Sequence, residues 1–163
     1  MGIRYSACSV RASDDELVRR DPLAYMNDTF STSASASEEC DPEDRWLDLD
    51  KSWREFQRLL TWSHRVPADT GFDLVRGDVT YPEGYENGYL CHYGILTPEE
   101  AEVVARELAH IDKVDVLAMY VENGRVGDRL REDVSYVGYH LERAKEFVSR
   151  RAAAGEGIVY RIG

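Results

Sequence analysis

The sequence predicts an α+β fold, with about four helices packed on a small antiparallel sheet that includes both termini. Three observations predict it. Residues 3–11 and 158–162 set Ile3, Tyr5 and Ala7, and Ile158, Tyr160 and Ile162, at alternate positions, the period of a strand. Between them, apolar side chains recur every three or four positions, the period of a helix facing a core. Helix-start chemistry stands at 13–16 and 97–100, and turn residues stand at 86–88, 122–124 and 155.

Taken in order, residues 3–11 place Ile3, Tyr5, Ala7 and Ser9 on one strand face. Ser13-Asp14-Asp15-Glu16 has the form of a capping box and opens a short helix over 14–20, stopped by Asp21-Pro22. Residues 29–37 (TFSTSASAS) carry no aliphatic side chain larger than Ala after Phe30, so little there can be buried. They predict a mobile insert near 29–42 within one domain spanning 1–163. Residues 46–62 predict the principal amphipathic helix: Trp46, Leu49, Trp53, Phe56 and Leu60 follow spacings of three and four. Asp48 or Asp50 would cap it, and Lys51, Arg54 and Arg58 would face outward.

From 66 to 94 the pattern breaks into Pro, Gly, Asn and Tyr, with short strands or turns at 72–75 and 79–81 and a strand over 89–96. Thr97-Pro98-Glu99-Glu100 supplies an N-cap, a first-turn proline and a Glu three residues on, and starts a helix to about 110. A further helix runs from 112 or 113 to 120. Asp133 would cap a long last helix to 154, with Val137, Leu141, Ala144 and Val148 inward and Gly155 closing it. Residues 158–162 put Ile158, Tyr160 and Ile162 on one face of the final strand.

Charge excludes some functions. The 163 residues carry 31 Asp and Glu against 20 Lys and Arg, a net charge of −11. Nonspecific nucleic-acid binding needs cations to neutralise phosphates, and docking on anionic membrane needs them too. A basic protein is the partner such charge favours. The acidity is concentrated in residues 21–50 and 67–105. No apolar run approaches the roughly 18–20 residues of a membrane helix, and no signal-peptide core precedes the first strand. Cys8, Cys40 and Cys91 are odd in number and lack CxxC spacing, which predicts neither a zinc knuckle nor a disulfide framework and points to the cytoplasm.

Few constellations carry chemistry. Asp48 and Asp50 form a D-x-D pair, but the preceding Asp-Pro-Glu-Asp-Arg is no hydrophobic strand, so the pair reads as a helix cap. Cys91-His92 are neighbours on a strand and face opposite ways, poor geometry for a dyad. His64, His110 and His140 are isolated, and no P-loop, G-x-S-x-G or G-x-G-x-x-G is present. No catalytic residue, metal ligand or cofactor is therefore predicted. Tyr81, Tyr85, Tyr89 and Tyr93 recur every four residues, interleaved with Glu86 and His92. Tyr gives large contact area at low entropic cost, so Tyr81, Tyr85, Glu86, Tyr89, His92 and Tyr93 are the expected binding residues. They suit a basic protein or a small cation. The rival expectation is an enzyme or small-ligand binder with a cleft near 81–93, drawing on His92, His140, Tyr136 and the Asp48/Asp50 pair.

Several of these motifs, in this order, resemble the YfbM-like family of small bacterial proteins, a domain of unknown function. They are Met1-Gly2-Ile3, Ser13-Asp14-Asp15-Glu16-Leu17 with Asp21-Pro22, Leu47-Asp48-Leu49-Asp50-Lys51-Ser52-Trp53 with Leu59-Leu60-Thr61, Leu96-Thr97-Pro98-Glu99-Glu100 and the helix end over 147–155. The resemblance implies an α+β fold and a bacterial cytoplasmic protein, and brings no established activity. The family usually has His where this chain has Arg54, often again at Gln57, and an Arg where Gly94 stands. If those residues form a family site, this chain has lost or rebuilt it. The functional expectation is a non-enzymatic acidic protein-binding module, such as an inhibitor or immunity protein for a basic partner.

Overall fold

A computed structural model describes residues 2–35, 45–62, 71–84 and 88–163. The expected acidic run at 38–44, Cys40 and His64 lie outside them. The elements in chain order are β1 (Tyr5–Val10), α1 (Asp15–Arg20), α2 (Pro22–Ser35), β2 (Trp46–Asp50), α3 (Trp53–Trp62), β3 (His92–Leu96), α4 (Pro98–Leu108), α5 (Lys113–Glu122), α6 (Leu130–Ala153) and β4 (Gly157–Ile162). Short 3-10 turns occupy Ala12–Asp14 and Gly71–Val75. The α+β fold and the antiparallel sheet with both ends of the chain in it are as expected, but the described residues hold six helices rather than about four.

The sheet order is β2-β1-β4-β3, every pair antiparallel. The first and last strands are thus its centre. Their register pairs Tyr5 with Ile162, Ala7 with Tyr160 and Ser9 with Ile158. Backbone bonds between Arg4 and Gly163 extend the ladder past Tyr5. Alternation then sorts the side chains. Tyr5, Ala7, Ile158, Tyr160 and Ile162 face the large core with α3, α4, α5 and α6. Cys8, Val10 and Val159 face a smaller cluster with Val18, Tyr25 and Met26 of α1 and α2. Most of both faces of the central strands is buried, which is why apolar side chains dominate them, Ser6 and Arg161 being the partly exposed exceptions.

Four expectations are corrected. Residues 46–62 are not one helix: Trp46–Asp50 is a strand and the helix begins at Trp53. The run Trp46-Leu47-Asp48-Leu49-Asp50 satisfies a period of two as well as one of 3.6. Pairing on the open edge of β1 decides between them, sending Leu47 and Leu49 into the large core and Trp46 to the other face. The register shifts between Tyr5 and Ser6, where Asp50 takes a left-handed φ of 47° and ends the strand in a bulge. Neither acid caps α3. The Asp48 carboxylate accepts from the Asp50 N–H at 2.6 Å, and Asp50 turns to Arg4 and Tyr136.

Second, Thr29 to Ser35, expected within a surface insert, continue α2. Asp21-Pro22 does stop α1, but it also starts α2. The Asp21 carboxylate accepts from the Ala24 N–H at 3.0 Å, and the proline occupies the first helical turn, where its missing N–H is harmless. Third, Ser13 makes no capping bond; its hydroxyl donates to Asp14, and α1 begins only at Asp15. Asp133 likewise sits inside the first turn of α6 rather than capping it.

The helix starts at 97 and 112 obey the chemistry of the sequence. Thr97 accepts from the Glu100 N–H at 3.2 Å while the Glu100 carboxylate accepts from the Thr97 N–H at 2.7 Å. Asp112 and Asp115 make the same reciprocal pair. Thr97→Ala is expected to lower stability by ~1 kcal/mol in denaturant unfolding, the usual value of a lost N-cap. Ser13→Ala, with no cap to lose, is expected to leave the midpoint within ~0.5 kcal/mol, as for an ordinary surface change.

Candidate functional site

The tyrosine-bearing segment stands where the chain enters the edge strand β3. Thr80 and Leu90 form an isolated antiparallel bridge, with N–H to carbonyl distances of 3.1 and 2.8 Å. The bridge brings Tyr81 and Tyr89 edge to face, ring centroids 6.1 Å apart at 68°, a preferred aromatic geometry. Tyr81 is 64% exposed and Leu90 46%. Tyr89 is partly buried and packs on the large core. Tyr85 and Glu86 lie outside the described residues.

The base of this loop is braced from beneath. The Tyr5 hydroxyl donates to the Leu74 carbonyl and the Tyr160 hydroxyl to the Arg76 carbonyl, each at 2.8 Å. Gln57 Nε2 donates to the carbonyls of Val75 and Gly77 at 2.6 and 2.7 Å. Arg54 pairs with Asp78 at 3.2 Å. Tyr5 and Tyr160 stack, centroids 5.4 Å apart. Burial pushes the ionisation of both phenols up, so both remain donors.

Two glycines permit the close approaches. Gly77 has φ 102° and lies under the His92 ring, where a Cβ would come within 2.3 Å of Nε2. Gly94 lies under Tyr160, where a Cβ would come within 2.1 Å of the ring. Arg54, Gln57 and Gly94 therefore all bear on one stretch of backbone, residues 74–78, Gly94 through the Tyr160 ring that bonds to it. Tyr160 occupies the space that a side chain at 94 would need.

The four expected binding residues that the structure describes, Tyr81, Tyr89, His92 and Tyr93, do not form one patch. Tyr81 and Tyr89 share the bridged loop, and His92 faces Gly77 and Tyr160. Tyr93 points through the sheet to the smaller cluster, beside Arg161. Cys91 lies on that side too, near Gly163, so Cys91 and His92 do face apart. Buried Cys8 has its thiol pushed up to about 12 by desolvation.

The rival's residues divide between the sheet's two edges, with His92 on β3 and the Asp48/Asp50 pair on β2. At the β2 edge the Tyr136 hydroxyl donates to Asp50 at 2.9 Å, and Arg4 Nε lies 3.2 Å from the same carboxylate. His140 Nδ1 lies 3.2 Å from the Asp48 carbonyl, with the Tyr136 and Tyr139 rings edge-on to its own. Desolvation lowers the His140 pKa from its ordinary 6.5, against the partial opposition of the Asp48 carbonyl. Among the described residues, no group of three or more His, Cys, Asp or Glu side chains is placed to hold a metal ion.

The bracing of residues 74–77 escapes the sequence reading, although a cue is present. Tyr5 and Tyr160 both point inward on their strands, and a buried phenol needs an acceptor, so two such residues announce carbonyls to be found nearby.

Fold and loop together define a small α+β protein that closes its sheet with its own first and last strands and mounts a tyrosine-bearing loop at one edge. The chain belongs to the family described as a domain of unknown function, DUF1877, whose model matches residues 1–160. The solved structure of YfbM from Escherichia coli, a protein of unknown function, has the same fold: TM-score 0.57, 14% identity, covering 99% of this chain and 100% of that one. No curated protein matches the chain. No described helix is long and apolar enough to cross a membrane.

The packing of Gly94 and the setting of His140 can each be tested. Gly94→Ala drives a methyl into the Tyr160 ring and is expected to cost ~1–3 kcal/mol, the range for overpacking, read as a lower melting temperature. Pairing it with Tyr160→Leu should recover part of that loss if the clash is the cause. For His140 the variable is pH. Because the folded state holds His140 below its unfolded pKa, the unfolded state binds the proton more readily, and stability falls as pH drops below about 6.5. Unfolding of His140→Gln measured from pH 7.5 to 5.5 should show a shallower decline than wild type; parallel curves would contradict this.

Proposed function

We propose that this protein acts by contact with another protein, a basic one, through the loop that carries Tyr81 and Tyr89. The observation that supports it best is the exposure of Tyr81 and Leu90 on backbone that is tied down. Large apolar side chains left in water on a fixed loop are the usual material of an interface. Here the Thr80–Leu90 bridge and the hydrogen bonds under residues 74–77 fix them. Side chains held on such backbone lose little conformational freedom on binding, so more of their contact energy appears as affinity.

Charge supports the choice of partner. Asp78 and Glu83 are exposed on the same segment, and the chain as a whole is net −11. Such a field accelerates encounter with a basic protein and rejects acidic ones. An inhibitor or immunity protein for a basic toxin or effector is a role this arrangement would serve.

The test is affinity capture from a bacterial lysate on the immobilised chain, beside a Tyr81→Ser/Leu90→Ser variant. Wild type should retain a basic protein at low salt and release it at high salt, where screening shortens the reach of charge to ~3 Å at 1 M. The variant, whose fold rests on neither exposed side chain, should not retain it. Identical retention by both proteins, or no basic protein on either, would remove the loop from consideration.

A further inference from the structure

The smaller face of the sheet holds a feature that the loop does not use. Its side chains stand in rows across the strands. One row is Trp46, Cys8, Val159 and Ile95, and it is covered by α1 and α2. The next is Asp48, Ser6, Arg161 and Tyr93. Where α2 passes over the boundary between them it leaves a cleft of about 350 Å³, lined by Leu23, Phe30 and Trp46 on one side and by Ser6, Asp48 and Arg161 on the other. That volume lies within the ~300–1,000 Å³ range of small-molecule sites.

Each side of the cleft has something unexplained by folding. On the apolar side, Phe30 is 64% exposed and Leu23 42%, though both stand beside a hydrophobic cluster. Phe30 meets Trp46 edge to face at 5.7 Å, forming an aromatic corner. On the polar side, Arg161 Nε is buried with no hydrogen-bond partner among the described residues, and so, on the apolar side, is Trp46 Nε1. A buried donor without an acceptor is costly, more so on a charged group. Arg161 makes no ion pair with Asp48, although both flank Ser6. Two strand spacings of about 4.8 Å place their backbones about 10 Å apart. One oxygen of Asp48 serves the Asp50 N–H, which leaves the other for a ligand.

A cation, a carboxylate and a hydroxyl in one row, facing an apolar corner, match a small molecule with both charges and an apolar body. We propose that this cleft binds a free amino acid with a large apolar or aromatic side chain. The carboxylate would sit on Arg161, where a planar fork suits it. The ammonium would sit on Asp48, and the side chain would lie against Leu23, Phe30 and Trp46. A simple fatty or aromatic acid would leave Asp48 without a partner, and an amine would do the same to Arg161. The site is remote from Tyr81, so it stands or falls independently of the protein-contact loop.

The test uses the full chain and calorimetric titration with L-phenylalanine and L-leucine, beside 3-phenylpropionate, phenethylamine and L-glutamate. Phenylalanine or leucine should bind with a dissociation constant below about 1 mM, and each of the other three should bind at least about tenfold more weakly. Arg161→Gln and Asp48→Asn should each weaken amino-acid binding at least about tenfold, with circular dichroism unchanged. Phe30→Ser, a change at an exposed position that the fold does not need, should weaken phenylalanine binding as well. Binding of 3-phenylpropionate as tight as that of phenylalanine would overturn the zwitterion assignment. So would indifference to Asp48→Asn. Absence of saturable binding by either amino acid would overturn the site. Unaltered binding by the Tyr81→Ser/Leu90→Ser variant is the expected sign that the two surfaces are separate.

Discussion

The pairing of β1 with β4 is the constraint on which the rest of the molecule depends. It places the two ends of the chain at the middle of the sheet, so both edge strands must be supplied from between them. It also brings Tyr5 and Tyr160 into a stack, and their hydroxyls hold the carbonyls of Leu74 and Arg76. An aromatic pair contributes ~0.5–1.5 kcal/mol beyond the area it buries, and each hydrogen bond a net ~0.5–1.5 kcal/mol. The larger effect is geometric. A segment without regular secondary structure acquires one conformation because the central strands dictate where its carbonyls lie.

Much of this fold is legible in the sequence, for identifiable reasons. β4 and the helices α4 and α5 are readable because pattern and boundary chemistry agree there, and α6 because of its apolar stripe and its closing Gly155, although its start is not where Asp133 implied. Thr97 and Asp112 cap as their spacing implies, and Val137, Leu141, Ala144 and Val148 are all buried. Residues 46–50 mislead because two periods fit five residues equally well, and only the free edge of β1 distinguishes them. The Asp21-Pro22 pair reads as a stop alone, since nothing local shows that the same carboxylate caps the next helix.

The candidate site is less legible than the fold. The tyrosine repeat covers the bridged loop and the start of β3, but its period of four implies a shared face that these two together do not provide. Tyr81 and Tyr89 meet because Thr80 pairs with Leu90; Tyr89 lies before β3 begins and packs on the large core, whereas Tyr93, within the strand, faces the smaller cluster. The row of Asp48, Ser6 and Arg161 is assembled from three strands far apart in sequence. No spacing along the chain could reveal it. The roles of Arg54, Gln57 and Gly94 become intelligible only with Tyr160 and the backbone of 74–78 set between them.

The central position of β4 also bears on how the chain is made. On the ribosome, β4 emerges after every other strand and helix of the fold, yet it is the strand that joins β3 to β1. Until it appears, β1 and β2 can form only a two-stranded ribbon, which is marginal in water. β3 has no strand to pair with. Sheet formation must therefore wait for translation of the last strand. During that interval the apolar edge of β1 stands open to other nascent chains, the circumstance in which strands pair wrongly. A chain interrupted shortly before β4 would lose the middle of its sheet rather than an edge.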